Sequence, residues 1–130
     1  MHTAEYADPR SPGQRVAVPA MLATRPVCTS ELFSLYRQTV APAPGLLLMA
    51  IPKRVLGRAV DRNQVRRIAR ESWRAVRGPQ CSQAILLRLK RRPQRFEGLP
   101  RGALKQLWRL EIDRLMQRWQ QLADTHGPRR

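Results

Sequence analysis

Apolar residues cluster along the chain in stretches whose spacing differs from one stretch to the next. LLLMAI lies between Gly45 and Pro52, and QAILLRL follows the break at Gly78-Pro79. Short, continuous apolar runs next to such breakers predict buried strands. In LPRGALKQLWRLEIDRLMQRWQQL the apolar residues recur every three or four positions, which predicts a long amphipathic helix with one wide apolar face.

The stretch between the two predicted strands also has helical spacing. At about 100° per residue, one side of residues 59 to 77 carries the apolar or small side chains Val65, Ile68, Ala69, Ser72 and Val76. The opposite side carries Asn63, Arg66, Arg67, Arg70, Arg74 and Arg77, and we expect Asp61 and Glu71 to lie off it. A helix between two buried strands forms a βαβ unit with parallel strands. The sequence therefore predicts an α/β (α+β) fold, a small single-domain sheet with helices.

The front of the chain has a different composition. Residues 1–28 contain four prolines and show neither strand nor helix periodicity, which predicts a flexible Pro-rich arm. TSELFSLYRQTV then predicts a first helix, with Thr29 or Ser30 as its cap and two prolines after its end. We assign residues 29–122 to one RNA-binding domain, for the reasons below, and residues 123–130 to a basic tail.

The charge of the chain restricts its partners. Lysines and arginines number 25 against 9 acidic residues, which gives a formal net charge of +16 and a pI near 11.8. The positive charges of so basic a compact domain repel one another unless a bound polyanion neutralises them. Nucleic acid is therefore the leading partner, and an anionic membrane surface is the second. Arginine supplies nearly all of the cations, which suits phosphate recognition but would also follow from a GC-rich genome.

Other residue types argue against several classes of protein. Cys28 and Cys81 form no CxxC motif and no plausible ligand set with His2 and His126, which predicts reduced thiols in a cytoplasmic protein. Nothing in the sequence resembles a signal peptide and no apolar stretch approaches about 20 residues, so we expect neither a secretory leader nor a membrane span. Carboxylate pairs at metal-binding spacing are also missing, which argues against a stand-alone nuclease.

The arginine side of the central helix is the candidate polyanion-binding surface. Solvated helix faces usually mix charges four residues apart, whereas this face places arginines beside arginines, an arrangement that phosphates complement. Asn63 adds a group that both donates and accepts hydrogen bonds. Lys53, Arg54 and Arg58 lead into the helix N-terminus, which itself attracts phosphate, and extend the same surface.

PKRVLGRAVDRNQVRRIARESWR, residues 52–74, resembles the signature of the bacterial ribonuclease P protein component. In that signature a basic pair precedes a glycine, and the pattern A-V-x-R-N-x-x-K-R-x-x-R-E-x-[FW]-R follows. The matching positions are Lys53, Arg54, Gly57, Ala59, Val60, Arg62, Asn63, Arg66, Arg67, Arg70, Glu71, Trp73 and Arg74. The resemblance continues less specifically on both sides and covers roughly residues 45 to 120.

The resemblance implies both a fold and a function. The fold would be ribosomal-protein-S5-domain-2-like, with a left-handed βαβ crossover that departs from the general right-handed rule. The protein would act as a monomer within the ribonuclease P ribonucleoprotein, binding the catalytic RNA and precursor tRNA and assisting removal of the 5′ leader. In that enzyme the RNA and its Mg²⁺ ions perform the hydrolysis.

The resemblance also implies roles for individual residues. Those expected to contact the catalytic RNA are Lys53, Arg54, Arg58, Arg62, Asn63, Arg66, Arg67, Arg70 and Arg74. Phe33 and Tyr36 correspond to two aromatic positions of the family and are candidates for binding the leader. On sequence grounds, base stacking and core packing are equally consistent with both residues. Gln64 stands where the family usually has Arg or Lys, which removes one cation from the surface.

The front end departs further from the family pattern. A strand rich in aromatic and apolar residues is expected between the first helix and LLLMAI, but only TVAPAPG lies between LYRQ and LLLMAI. We therefore expect that strand to be lost or replaced. The arm could fill the edge, because QRVAVPAML alternates weakly, or the chain could be a divergent paralogue that binds RNA without processing it.

Three alternative functions remain open on sequence grounds. A general RNA-binding or ribosome-associated protein would use the same arginine face without a processing role. A DNA-binding helix is less favoured, because dimer-forming heptads and a helix-turn-helix pairing are missing. A membrane-surface helix would need large apolar residues where Ala69 and Ser72 lie.

Overall fold

A computed structural model gives the structure of the protein and describes residues 18–38, 45–78, 81 and 83–125, with side chains to residue 122. The helices in this part of the chain are α1 (Val18–Leu22), α2 (Ala59–Val76) and α3 (Arg101–Thr125). The strands are β1 (Cys28–Thr29), β2 (Phe33–Gln38), β3 (Leu46–Ala50) and β4 (Ala84–Leu89), and a 3₁₀ turn, Gln94–Phe96, precedes α3. Among the described residues no helix has the length and apolar character needed to cross a membrane.

The strands form one mixed sheet in the order β1-β2-β4-β3. β3 pairs in parallel with β4, from Leu46 opposite Ala84 to Ala50 opposite Arg88. β2 is antiparallel to both β4 and β1. The predicted strands, the central and final helices and the parallel βαβ unit β3-α2-β4 are therefore confirmed, as is the α/β (α+β) class, while the left-handed crossover stays a prediction.

Both faces of the sheet are covered, which explains the continuous apolar runs of β3 and β4. On one face α2 and α3 pack over side chains such as Leu35, Met49 and Leu87 in the main core. On the other face Val18 and Met21 of α1 pack with residues of β2, β3 and β4, namely Tyr36, Leu48, Ala50 and Leu86. A strand that is covered on both faces needs no polar face, so apolar and polar residues do not alternate along it.

The predicted first helix is wrong, because residues 33–38 form β2. Six residues of β2 pair with β4, and the strand places Phe33 on one face of the sheet and Tyr36 on the other. Ser30 caps a hairpin turn and not a helix: its N–H donates to the Phe33 carbonyl at 2.8 Å, and its Oγ accepts from the Phe33 N–H at 3.2 Å. Leu32, Phe33, Leu35 and Tyr36 imitate helical spacing because both faces of β2 are buried.

The expectation that the strand between the first helix and LLLMAI is lost or replaced is not met, because β2 lies between α1 and β3. The helix before it is α1, within the segment that the sequence assigned to the arm. Val18 and Met21 are buried against the sheet, so ordered structure begins before residue 29. The segment QRVAVPAML therefore forms a helix from residue 18 onward and not an edge strand. Residues 1–17 lie outside the described residues.

Gly45, at the start of β3, offers a test of this packing. Its φ is +93°, and a Cβ built there would lie 2.7 Å from the Gln83 carbonyl oxygen. We expect Gly45→Ala to lower the free energy of unfolding by about 1–3 kcal/mol, since it adds left-handed strain to a clash with backbone. Urea denaturation measures this change.

Gly102 provides the matched control, because it lies in the first turn of α3 and an added Cβ would meet nothing within 4 Å. Gly102→Ala should leave stability unchanged or raise it by up to about 1 kcal/mol. Equal effects of the two substitutions would contradict the close approach at Gly45.

Candidate nucleic-acid interface

α2 is amphipathic in the way that its sequence predicts. Val65, Ile68 and Ala69 are buried in the main core beneath the helix. Trp73 joins them and packs on Trp119 of α3, with ring centroids 5.0 Å apart and planes at 59°. Because the buried side is fixed against the sheet and α3, the arginine side faces outward.

The outward side of α2 bears a shallow groove that collects most of the predicted RNA-binding residues. The groove is lined by Asn63, Arg66, Arg67, Arg70, Glu71 and Arg74. Arg77 lies just beyond the helix end, where its backbone N–H donates to the Trp73 carbonyl oxygen at 2.9 Å. Four guanidinium groups and one carboxamide along a single groove form a surface suited to phosphates and ribose hydroxyls.

Asn63 and Arg66 are joined along this groove. Arg66 Nη1 donates to Asn63 Oδ1 at 3.4 Å, which is long for a hydrogen bond. The two residues are one helical turn apart and share the outward side of α2. This asparagine therefore presents its polar group next to a cation of the groove.

Glu71 corrects the expectation that both acids lie off the arginine side. It lines the groove, and its Oε1 accepts a hydrogen bond from Arg109 Nη2 of α3 at 2.5 Å. This hydrogen bond, with the charges of Arg109, Lys105 and Arg67, lowers the pKa of Glu71 below its ordinary value. The helical plot missed the contact because it treats α2 in isolation from α3.

Arg62 holds the loop that precedes α2. Its Nη1 donates to the carbonyl oxygens of Leu56 at 3.0 Å and Gly57 at 2.9 Å. The buried Leu56 side chain anchors the same loop in the core. The structure thus gives Arg62 a positioning role, and its predicted contact with RNA stays a prediction.

The loop between β3 and α2 presents the remaining predicted cations. The Pro52 carbonyl oxygen accepts hydrogen bonds from the backbone N–H groups of Val55 and Leu56, both at 3.0 Å, and this turn exposes Lys53 and Arg54. Arg58 is the exposed N-cap residue of α2, with extended backbone and no hydrogen bond from its side chain to the cap. Its side chain therefore lies where the helix dipole also favours an anion.

A further group of cations, which the sequence analysis missed, follows β4. β3 and β4 are parallel, and Ala50 at the end of β3 pairs with Arg88, one residue before the end of β4. Lys90, Arg91 and Arg92 therefore emerge at the same end of the sheet as the loop with Lys53. Arg91 and Arg92 are exposed. The signal was present in the sequence, since basic residues directly follow both of the strands predicted to be parallel.

The two aromatic candidates lie on opposite faces of the sheet. Phe33 is fully buried in the main core, in edge contact with Trp108 at a centroid distance of 6.0 Å. This burial favours core packing for Phe33, and its predicted contact with the leader stays a prediction. Tyr36 is 4% exposed and lies on the α1 side, beside Leu48 and Leu86.

Metal ligands do not converge in the described part of the chain. No group of three or more His, Cys, Asp or Glu side chains there is placed to hold a metal ion. Cys28 and Cys81 are free thiols, and burial raises the pKa of the Cys28 thiol. His2 and His126 lie outside the described residues.

Comparison with known proteins gives one family. A family model described as Ribonuclease P matches residues 21–119, about three quarters of the chain. No curated protein and no solved structure gives a significant match. The matched region begins within α1 and ends within α3, so it includes the whole sheet and the arginine groove.

Proposed function

The chain belongs to the ribonuclease P protein family, and from this membership we propose that it binds the catalytic RNA of ribonuclease P and precursor tRNA in the cytoplasm. In this role a single copy assists removal of the 5′ leader, which gives the mature tRNA 5′ end. The protein is the non-catalytic subunit of this endoribonuclease, and the RNA carries out the hydrolysis.

The arginine groove of α2 is the observation that carries the proposal. Arg66, Arg67, Arg70 and Arg74 line it on a helix that the core holds rigidly. Phosphates neutralise these cations and release counterions, which favours RNA binding at low salt. The exposed loop residues Lys53 and Arg54 and the N-cap residue Arg58 extend the positive surface beyond the helix.

Mg²⁺ belongs to the RNA in this proposal. It supplies charge stabilisation and water activation for phosphodiester hydrolysis, and the RNA phosphates provide its ligands. The described side chains offer no carboxylate or imidazole cluster that fits such an ion, so no step is assigned to a metal held by protein. The protein contributes cations that hold RNA.

We place the leader on the α1 side of the sheet. Arg88 of β4 is half-buried there, between Ser34 of β2 and Ala50 of β3 in the strand register. A partly exposed cation near an aromatic side chain suits a single strand of RNA, which binds through its phosphates and its bases. Tyr36 lies on the same face, two residues along β2 from Ser34.

Cleavage of labelled precursor tRNA tests the proposal. The catalytic RNA from the same organism is assayed at low millimolar Mg²⁺ with and without the protein. We expect the protein to increase release of the 5′ leader, because its cations offset the phosphate repulsion that little Mg²⁺ leaves unscreened. Tight RNA binding with unchanged cleavage would instead identify a general RNA-binding protein.

A further inference from the structure

α3 is fixed beside α2 along the groove. Trp73 and Trp119 pack between the two helices, and Gln120 Nε2 donates to the Val76 carbonyl oxygen at 3.0 Å. The side of α3 that faces α2 therefore has a defined position relative to the arginines.

Two cations of α3 lie on that side. Arg109 is joined to Glu71 at the edge of the groove, and both side chains are exposed, by 40% and 46%. Lys105 is one helical turn before Arg109 and is also exposed. Residues four positions apart share one side of a helix, so Lys105 lies on the same side of α3 as Arg109, which contacts Glu71. The Lys105 charge adds to that of Arg109 in lowering the pKa of Glu71.

The local charge around Glu71 is unbalanced. Arg67, Lys105 and Arg109 all act on this single carboxylate, so the cluster keeps a net charge of about +2 from these four groups. An ion pair this exposed is screened by solvent and contributes little to stability, so folding gives little reason for the arrangement. A second anion, such as a phosphodiester, complements the remaining charge.

Cations near the side of α3 that faces away from α2 contact other groups of the protein. Arg118 Nη1 donates to the Thr29 carbonyl oxygen at 2.8 Å, which ties α3 to β1. Glu111 lies 3.8 Å from Arg95, which also pairs with Glu31 at 2.9 Å. Arg95 is thus paired with carboxylates and Arg118 is hydrogen-bonded within the protein, whereas the side facing α2 keeps an excess of cations around one carboxylate.

We propose that Lys105 and Arg109 of α3 bind phosphates of the same RNA that occupies the α2 groove. The RNA-binding surface then spans two helices, and Glu71 holds the Arg109 guanidinium at the groove edge. This inference rests on the proposed function, because it concerns the same RNA partner.

Binding of the catalytic RNA across a range of salt concentrations tests the inference. Lys105→Gln and Arg109→Gln are each compared with Arg114→Gln, an exposed arginine of α3 that lies about 180° and 140° around the helix from them. We expect Kd to rise about three- to tenfold for each of the first two, with a salt slope shallower by about 0.7–0.9 per lost phosphate contact. Arg114→Gln should change Kd by less than twofold.

An Arg67→Gln/Arg70→Gln variant in the same assay separates the inference from the proposed function. If it weakens binding while Lys105→Gln and Arg109→Gln match Arg114→Gln, the α3 contact is wrong and the α2 site stands. If Arg114→Gln weakens binding as much as they do, only general charge is involved and the inference is overturned. Unchanged binding in the Arg67→Gln/Arg70→Gln variant would contradict the proposed function itself.

Discussion

Replacing Arg67 and Arg70 together with glutamine should weaken binding of the catalytic RNA about 10- to 100-fold at physiological salt, the consequence of two lost phosphate contacts. Both side chains are exposed and line the groove, so little packing is lost. Glutamine has nearly the same helix propensity as arginine, which preserves α2. The slope of log K against log salt should become shallower by about 1.4–1.8, as measured by filter binding over several salt concentrations.

The matched control removes two cations elsewhere. Arg25 follows α1 and Arg114 lies on the outward side of α3, and both are exposed. Arg25→Gln/Arg114→Gln should change Kd by less than about threefold, because only the long-range field is reduced. Comparable weakening in the two double variants would mean that net charge, and not the groove, drives binding. Loss of helical circular dichroism in Arg67→Gln/Arg70→Gln would show that these arginines are structural.

Local pattern was sufficient to predict most of the regular structure. α2 and α3 were predictable because helical spacing lies within one segment and separates their two sides. β3 and β4 were predictable because breakers bound or precede their apolar runs, and the helix between them implied parallel pairing. These features require no knowledge of distant residues.

β2 was missed for a physical reason. Its partner is β4, about fifty residues away, and Tyr36 and Leu86 illustrate the non-local pairing. Burial on both faces removed the alternation that marks a half-buried strand, and the remaining apolar spacing suited a helix equally well. A helix over residues 33–38 leaves no segment before β3 for the expected strand, so the two wrong expectations have one cause.

The candidate site was predictable where its residues lie on one helix, and not where they contact other elements. The arginines of α2 share one helix, so their common surface followed from the sequence. The contacts of Arg62 with the loop carbonyls and of Glu71 with Arg109 depend on turn geometry and on helix packing. Neither contact has a sequence signal, because hydrogen-bond partners from loops and neighbouring helices are set by the tertiary fold.

Phe33→Ala should lower the free energy of unfolding by about 3–5 kcal/mol, as expected for truncation of a buried aromatic side chain. The ring is fully buried and packs on Trp108, which also contacts Phe96 at a centroid distance of 5.0 Å. Removing the Phe33 ring leaves a cavity beside Trp108. Such a loss is a large part of the typical total stability of about 5–15 kcal/mol, so thermal unfolding should shift strongly.

Phe33→Leu distinguishes core packing from base stacking, since it retains much of the volume but no aromatic face. If Phe33 is a core residue, this variant loses about 1–1.5 kcal/mol of stability, and the holoenzyme keeps its preference for precursor tRNA over mature tRNA. If Phe33 stacks on the leader, that preference falls while stability changes little. Tyr36→Leu is the matched comparison, because Tyr36 lies on the α1 side of β2, where we place the leader. A loss of leader preference in Tyr36→Leu alone would therefore assign the two aromatic residues to different layers of the sheet and to different roles.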